Sequence, residues 1–424
     1  MAKRKKVLVI SYYWPPAGGP GVQRVLKFCK YLPSCGWEPI VLTVADGEYP
    51  AVDESFLQDV PAGLRIIRTS SFEPYALYRR LTGKKADEKI ATFVLTEDTQ
   101  GTFLQRLAAF IRGNIFIPDA RIGWLPFAVK AGAHIIRAQK VDLLFSSGPP
   151  MTGHLIARML ARRTMLPWVA DFRDPWTDVF YYHTLRRTRP TLLLDQRLER
   201  SVLSSASAVV TVSPTLKNLF QKKAENDYFV IPNGFDEEDF VPAPRDAVRR
   251  FVHAGHLAVN QNPVALWRAF RRIIEESQEP TVVDFYGSVH SEVRRSLAEE
   301  GLLPHCRFHG YLPHRQAAAA MVSAALLFFV IPETSYAKGI PTSKLFDYLG
   351  AGRPILGIGP PDGDAAEYLR AAQAGIVLAP DDPKIAEKIV DLLSRQPGES
   401  RILFSRRRQT VELAKLFDQL VTKA

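Results

Sequence analysis

Short apolar runs alternate with stretches of helical spacing along most of the chain. Residues 6–12 form an apolar run that predicts a β-strand, and residues 14–21 are rich in proline and glycine and predict a loop. Apolar residues then recur at helical spacing from Val22 to Leu32, which predicts an α-helix. A second strand is predicted at residues 38–44. This alternation is typical of a parallel sheet covered by helices.

The same pattern continues to the end of the chain. Further strands are predicted at residues 64–68, 142–146, 167–171, 208–212, 228–231, 250–253, 281–286, 307–309, 324–330, 354–358 and 376–378. The longest apolar run, residues 321–331, is too short to cross a bilayer core of about 30 Å and is interpreted as a buried strand. Residues 401–421 predict one or two amphipathic helices. The fold class is therefore α/β.

The length of 424 residues suits two α/β domains. A proline-bearing polar stretch at residues 241–244 is typical of a domain junction. The sequence thus predicts an N-terminal domain over residues 1–240 and a second domain that follows it. Residues 72–116 are less regular, and two interpretations stay open for them: a mobile or acceptor-facing insertion, or an ordinary helical excursion.

Composition and charge describe an ordinary globular protein with a basic surface. Hydrophobic residues make up 46% and charged residues 23% of the chain, which excludes wholesale disorder. The net charge of +11 indicates an anionic partner, but no nucleic-acid-binding motif accompanies it. Three cysteines form no disulfide framework or metal quartet, and the apolar start ends at Ser11. We expect a cytoplasmic protein, and a peripheral contact with an anionic membrane stays open.

The first loop with candidate chemistry contains Gly18, Gly19 and Gly21. Glycines permit close backbone approach, and the following helix offers its N-terminal amides to an anion. The loop is not a dinucleotide-binding fingerprint, because Arg24 stands where the third glycine would be. A phosphate-binding loop and a structural turn are both consistent with this pattern.

The second candidate follows the strand at residues 167–171. Asp171, Arg173 and Asp174 place two carboxylates and a guanidinium at the end of an apolar run. Charges there are costly unless they are paired or functional. The alternative is a structural anchor in which Arg173 pairs with either aspartate.

The most specific signal lies in residues 340–354. A polar turn opens a helix and places Thr342, Ser343 and Lys344 at its start, where phosphates bind well, with Asp347 one turn further on. An aspartate in this position can accept hydrogen bonds from both hydroxyls of a ribose. Gly255 and His256 follow another strand and are candidates for the same site, with a surface histidine as the alternative for His256.

One short motif points to a metal. Asp362 and Asp364 form a D-x-D pattern, but so short a motif is expected by chance in a chain with this many aspartates. We therefore predict no metal site and no cofactor.

These segments, taken in order, resemble the GT-B glycosyltransferases, and within them the retaining group called family four, especially its bacterial cell-surface polysaccharide members. The resemblance covers nearly the whole chain and rests on residues 12–19, 118–119, 124, 147–150, 168–176, 212–213, 231–236 and 343–354. It implies two Rossmann-like doubly wound domains facing across a cleft. The second domain, residues 241–404, would bind the nucleotide-sugar donor, and a helix at residues 405–424 would pack back on the first.

The resemblance also implies roles for single residues. The donor would contact Gly255, His256, Thr342, Ser343, Lys344 and Asp347, the acceptor would contact Gly18 and Gly19, and catalysis would involve Arg173, Asp174 and Lys344. Two departures from the family are visible. The first of its two acidic residues falls on Gly339, and its usual basic pair is not evident in residues 253–262. Lys344 and the helix end would then carry more of the diphosphate charge.

The function that follows is a retaining glycosyltransferase of the hexosyltransferase type. It would transfer a sugar from a nucleotide sugar to a glycan or lipid-linked acceptor in polysaccharide biosynthesis, without a metal and without nucleic acid as a partner. Two alternatives stay open at this point: a nucleotide-sugar epimerase of similar fold, and a noncatalytic nucleotide-sugar-binding protein.

Overall fold

The structure is a computed structural model that describes residues 4–47, 49, 52–72, 110, 113–179, 182, 187–241, 248–334 and 336–423. The chain forms two compact units. Met1–Ile231 and Thr410–Ala424 form the first unit, and Pro232–Gln409 form the second. Most of the predicted insertion at residues 72–116, and most of the predicted junction at 241–244, lie outside the described residues.

The first unit is built on a parallel sheet of seven described strands. Their bounds are β1 Lys5–Ile10, β2 Trp37–Val44, β3 Arg65–Thr69, β4 Leu143–Gly148, β5 Trp168–Phe172, β6 Ala208–Thr211 and β7 Tyr228–Val230. The order in the sheet is β3-β2-β1-β4-β5-β6-β7. The helices are α1 Pro20–Tyr31, α2 Leu125–Gln139, α3 Thr152–Thr164, α4 Arg189–Ser205 and α5 Pro214–Gln221. The order changes direction between β1 and β4, which is the place where doubly wound sheets bind ligands.

Successive residues of the first sheet face two separate hydrophobic cores. Val7 and Val9 pack with residues of α1 on one face, and Leu8 and Ile10 pack with residues of α2 and α3 on the other. Such strands are apolar at nearly every position because helices cover both faces of the sheet. This explains why they are readable as short apolar runs in the sequence.

The second unit repeats this plan with six described strands. They are β8 Arg249–Ala254, β9 Thr281–Tyr286, β10 Cys306–Gly310, β11 Leu326–Val330, β12 Ile355–Ile358 and β13 Gly375–Leu378, in the order β10-β9-β8-β11-β12-β13. The helices are α6 Val264–Glu276, α7 Ser291–Glu299, α8 His314–Val322, α9 Ser343–Ala351, α10 Asp364–Ala372 and α11 Ile385–Ser394. The order changes direction between β8 and β11. The two doubly wound parallel sheets predicted from the sequence are confirmed.

A last helix, α12, spans Arg406–Lys423. In its part that belongs to the first unit, Leu413, Leu416 and Phe417 are buried in the core that contains Val7 and Val9. Phe417 makes an edge contact with Trp37 at 5.3 Å between ring centroids. Asp418 accepts hydrogen bonds from Lys5 Nζ at 2.9 Å and Trp37 Nε1 at 3.2 Å.

One element prediction is wrong. The apolar run at residues 321–331 is not a single strand, because α8 continues to Val322 and β11 begins only at Leu326. An apolar run alone does not distinguish a buried strand from the end of a buried helix. No helix among the described residues is both long enough and apolar enough to cross a lipid bilayer.

Candidate functional site

The first unit presents its loops at the carboxyl ends of β1, β4 and β5. Gly18 and Gly19 lie in the loop between β1 and α1, and Gly19 is the N-cap of α1 with φ of 104°. This backbone conformation favours glycine. No side chain caps the helix at this residue. The predicted acceptor-side glycines therefore lie beside a helix N-terminus at the switch point of the sheet.

Arg173 follows β5 and is held against the loop after β4. Its Nε donates to the carbonyl oxygen of Gly148 at 3.1 Å, and a second guanidinium nitrogen donates to Pro149 O. A side chain at Gly21 would collide with this guanidinium, since a Cβ there would lie 1.9 Å from Arg173 Nη1. Asp174, the next residue, is exposed. Arg173 is thus fixed at the switch point by backbone carbonyls.

The alternative interpretation, in which Arg173 pairs with Asp171, does not describe the contacts of Asp171. Asp171 is fully buried and instead accepts hydrogen bonds from the Arg24 guanidinium, at 2.8, 3.0 and 3.2 Å, and one from Ser147 Oγ at 2.7 Å. Arg24 also donates to Ile231 O at 2.8 Å. Burial alone would raise the pKa of Asp171, but the charge and hydrogen bonds of Arg24 lower it overall. The residue that replaces the third glycine of a dinucleotide fingerprint therefore anchors α1 to β5.

His154 on α3 was missed by the sequence reasoning. It is fully buried, stacks on Phe172 at 4.3 Å between ring centroids, and its Nδ1 lies 2.8 Å from Ser146 Oγ. Its Nε2 has no hydrogen-bond partner among the described residues. Burial lowers the pKa of His154 to about 3, so the imidazole is neutral. Nothing in its sequence context distinguishes it from an ordinary helical residue.

Asp119 supports the same edge of the sheet. Its carboxylate accepts hydrogen bonds from the amide and hydroxyl of Thr152, at 3.0 and 2.8 Å, at the first residue of α3. An acceptor here satisfies an amide that the helix itself leaves without a partner. Asp119, which carries part of the family resemblance, is therefore a positioning residue for the loop after β4.

In the second unit, Lys344 reaches from α9 to the loop after β8. Its Nζ donates to the carbonyl oxygen of His256 at 2.7 Å and lies 3.4 Å from His253 Nε2. Lys344 has no carboxylate partner among the described residues. Burial lowers its pKa to about 8. The ammonium is thus a partly buried cation at a helix N-terminus, and no carboxylate of the described residues neutralises it.

His253 was also missed, because it lies within β8 and not in a loop. It is fully buried, and its Nδ1 lies 3.1 Å from Phe328 O. Burial and the charge of Lys344 hold the pKa of His253 well below its usual range. Tyr348, one helical turn after Lys344, accepts from the amide of Ala254 at 2.8 Å and donates to Phe328 O at 3.0 Å. These contacts fix α9 against β8 and β11.

Three glycines leave the backbone bare at the carboxyl ends of β8, β9 and β10. Gly255, Gly287 and Gly310 have φ of +123°, +117° and +70°. A Cβ at Gly255 would lie 2.4 Å from Lys344 Cε, and one at Gly287 would lie 2.4 Å from Gly255 O. The lysine therefore requires a glycine at position 255. Of the three glycines, Gly310 leaves open space beside the backbone, with no described atom within 4 Å of an added Cβ. His256 is exposed, and its Nδ1 lies 2.7 Å from Ser288 Oγ.

Thr342 and Ser343 lie where the sequence places them. Thr342 is the N-cap of α9 and Ser343 is its first residue, and no side chain caps this helix at Thr342. Asp347 is one turn further along, and its carboxylate lies 3.6 Å from Nε2 of His314, at the start of α8. His314 is a third residue that the sequence reasoning missed. Gly339, at the family's usual acidic position, ends a short 3₁₀ segment, Ala337–Gly339.

The aspartates of the D-x-D pattern have separate environments. Asp362 is exposed and receives a hydrogen bond from Lys338 Nζ at 2.5 Å, and this hydrogen bond lowers the pKa of Asp362. Asp364 is buried in the first turn of α10. A carboxylate in the first turn of a helix is stabilised by the helix dipole.

Comparison with known proteins places this architecture in a class. Residues 20–239 match the family model described as Glycosyltransferase Family 4, and residues 248–395 match the model described as Glycosyl transferases group 1. No curated protein matches the chain in sequence.

Solved structures share the fold over nearly the whole chain. A sucrose-phosphate synthase from Thermosynechococcus elongatus is 15% identical and superposes with a TM-score of 0.64, over 99% of this chain and 100% of that chain. A glycosyltransferase from Rickettsia africae is 13% identical, with a TM-score of 0.62, over 99% and 100%. Anabaena HepE in complex with UDP is 12% identical, with a TM-score of 0.55, over 99% and 98%.

The two doubly wound units, each with its ligand edge at a switch point, define a GT-B glycosyltransferase. The family match covers more than half of the chain. The protein belongs to glycosyltransferase family 4.

Proposed function

We propose that the protein transfers a sugar from a nucleoside-diphosphate sugar to a glycan or lipid-linked acceptor, with retention of anomeric configuration, in cell-surface polysaccharide biosynthesis. The observation that carries the proposal is Lys344, a partly buried ammonium with no carboxylate partner among the described residues. A buried cation without a counter-ion is unfavourable unless an anionic ligand binds it. A diphosphate supplies that charge.

The residues around Lys344 suit the parts of such a donor. The uncapped start of α9 at Thr342 and Ser343 offers amides and the positive end of a helix dipole to the diphosphate. Gly255 makes room for the side chain of Lys344, and His256 lies beside it. Asp347 would accept the hydroxyls of the ribose.

Catalysis in this site rests on stabilising the leaving group. Negative charge develops on the diphosphate as the bond to the sugar breaks, and preorganised cations and amides lower the barrier to that step. Lys344 and the first amides of α9 supply them, so the reaction needs no metal. In a front-face displacement a phosphate oxygen can take the acceptor's proton, so no side-chain base is required. Arg173 and Asp174 would then contact the reacting sugar, and Gly18 and Gly19 the acceptor.

The cellular setting is part of the same proposal. The net charge of +11 suits a cytoplasmic enzyme that contacts the anionic inner face of a membrane, where lipid-linked acceptors lie. Nucleic acid is not a proposed partner.

The first experiment measures donor binding. Thermal unfolding of the wild-type protein is recorded with UDP, GDP, ADP, TDP and their common sugars, because a ligand of the folded state raises its stability by about 2.7 kcal/mol at 100 times its Kd. One nucleotide family should stabilise the protein. Lys344→Gln should weaken that binding about 10- to 100-fold, since hydrogen bonds to a charged group are worth about 1.5–3 kcal/mol. Stabilisation by no nucleotide would overturn the proposal.

Lys338, in the short 3₁₀ segment that precedes α9, provides a matched control. Lys338 is exposed and paired with Asp362, so Lys338→Gln removes a lysine without touching the proposed site and should leave nucleotide binding unchanged. Equal losses in both variants would mean that general charge, and not this ammonium, attracts the nucleotide.

A second experiment separates transfer from its alternatives. Incubation of the preferred nucleotide sugar with the protein is followed by ¹H NMR. Slow release of the nucleoside diphosphate with a free sugar of the donor's anomeric form supports a retaining transferase. Conversion to an epimeric sugar would identify an epimerase, and binding without any turnover would identify a noncatalytic protein; either result overturns the proposal.

A further inference from the structure

A groove lies at the carboxyl ends of β1, β2 and β3 in the first unit. It has a volume of about 460 Å³, which is in the range of small-molecule sites. Its lining comes from the loop after β1, the end of β2 with the turn that follows it, and one side chain of β3, and it includes Trp14, Asp46, Tyr49 and Arg68. The groove therefore opens on the same edge of the sheet as Gly18 and Gly19.

One wall of the groove is formed by rings. Trp14 is almost fully buried at 1% exposure, and Pro15, Pro16 and Tyr49 line the same space. The turn is shaped to seat Tyr49, because a Cβ at Gly47 would lie 2.9 Å from Tyr49 Cε1 and 2.6 Å from Val44 Cγ1. Tyr49 is the ring that the face of a sugar can reach, because it is half-buried whereas the Trp14 ring has almost no exposed surface. Trp14 Nε1 has no hydrogen-bond partner within the part of the chain that the structure describes.

Arg68 is the basic residue of the groove. Arg68 is exposed near the end of β3, and it forms no ion pair with any described carboxylate, although Asp46 lines the same groove. It lies close enough to Tyr49 for its charge to lower the pKa of that phenol, against the larger effect of burial, which raises it. Guanidinium groups bind carboxylates and phosphates in a two-point geometry.

We propose that this groove is an acceptor subsite for an anionic sugar, whose ring packs on the half-buried Tyr49 while its carboxylate or phosphate binds Arg68. The inference rests on the proposed glycosyltransferase function and specifies the acceptor that the first unit takes. A sugar acid and a sugar phosphate present the same charge to Arg68, and the experiment separates these two sources.

The test measures the binding of three soluble probes, glucuronate, α-glucose 1-phosphate and glucose, by saturation-transfer difference NMR. It uses the wild-type protein and the Lys344→Gln variant, because a phosphate could otherwise bind at the donor site. We expect at least one anionic probe to bind about tenfold or more tightly than glucose in both proteins. The tighter of the two anions identifies the acceptor as a sugar acid or a sugar phosphate.

The matched variants are two arginines of the same strand. Arg68→Gln should remove the preference for the anion, whereas Arg65→Gln, at the other end of β3 and also exposed, should keep it. Gly47→Ala should weaken all three probes by a similar factor, because the new Cβ displaces the Tyr49 ring. Equal binding of glucose and both anions, or full anion binding in Arg68→Gln, would overturn the subsite.

Donor binding distinguishes this result from a failure of the proposed function. Arg68→Gln should show the same thermal stabilisation by nucleotide as the wild type, which also verifies that the variant is folded. If no nucleotide binds while the anion preference holds, the glycosyltransferase proposal fails and the anion subsite stands. If nucleotide binds normally and the anion preference is absent, only the subsite fails.

Discussion

Lys344 and His253 are direct neighbours in the second unit, with Nζ 3.4 Å from Nε2 of the buried imidazole. Because Phe328 O can only accept, Nδ1 of His253 is the donor in their 3.1 Å contact, and Nε2 is left as an acceptor for the ammonium. The histidine is therefore neutral and holds the lysine without adding a competing charge. An anion that binds here contacts the positive charge of Lys344, whose position is fixed by His253 Nε2 and His256 O.

The affinity for the nucleoside diphosphate should fall as the pH rises above about 8. Burial lowers the pKa of Lys344 to about 8 in the free protein, so the ammonium is charged at pH 7 and is lost at higher pH. A bound diphosphate favours the charged form and raises that pKa, so the affinity should drop by up to about tenfold per pH unit above 8. Calorimetric titrations from pH 7 to 9.5 measure this. Lys344→Gln should show no such fall, and an equal fall in the variant would assign it to another group.

Gly255→Ala should weaken nucleotide binding by about tenfold or more. The new Cβ would lie 2.4 Å from Lys344 Cε, so the lysine must leave its contact with His256 O. The backbone is also strained, since φ is +123°. Gly36→Ala is the control, because Gly36 has φ of +85° in the other unit and no atom of the described residues lies within 4 Å of the added Cβ. Both variants should lose stability, but a normal Kd in Gly255→Ala would contradict the placement of the lysine.

Much of the fold is readable from the sequence because both sheets are parallel and covered on both faces. β9 is predicted at residues 281–286 and is found at Thr281–Tyr286, since a buried strand is apolar at almost every position. The same reasoning fails at residues 321–331, where α8 and β11 follow each other with apolar residues in both. The spacing of apolar residues and the length of a run distinguish a buried strand from the end of a buried helix only when turn residues bound the run.

The candidate site is readable only where its residues follow strands. Lys344 stands in a recognisable turn at the start of a helix, and Arg173 directly follows β5. His253 lies inside β8. His314 is the first residue of α8 and contacts Asp347, which is distant in sequence. Neither histidine stands in a sequence motif that would indicate a binding site. These residues become visible only when the topology brings distant segments together.

The pairing of Arg24 with Asp171 illustrates the same limit. The two residues are 147 positions apart, and Arg173 is the nearer arginine in sequence. Arg173 is instead satisfied by carbonyl oxygens of the loop after β4. Charge pairing in a parallel sheet follows the order of the strands in space, which a single sequence does not give.

Asp171→Asn should destabilise the first unit by about 3–5 kcal/mol. Asp171 and Arg24 are both fully buried, and removal of one partner leaves the other as an uncompensated buried charge. Urea unfolding of the wild type and the variant measures the change in the free energy of unfolding. Glu276→Gln is the control, because it breaks the exposed Arg272–Glu276 pair, worth about 1 kcal/mol or less. Similar losses of unfolding free energy in both variants would show that the Arg24–Asp171 pair stabilises the protein no more than an exposed ion pair does.

The buried His154 should make the first unit less stable in mild acid. Its pKa is about 3 in the folded protein against 6.5 for a free histidine, so the unfolded chain takes up a proton below pH 6.5 that the folded chain does not. The stability that comes from burying the neutral His154 is therefore fully present above pH 6.5. It is lost progressively as the pH falls towards 3, by about 2 kcal/mol at pH 5. Urea unfolding at pH 7.5 and pH 5 measures this loss. In His154→Gln the difference between the two pH values should shrink by about 2 kcal/mol, even though the variant is less stable at both. An unchanged difference would show that other groups cause the acid sensitivity.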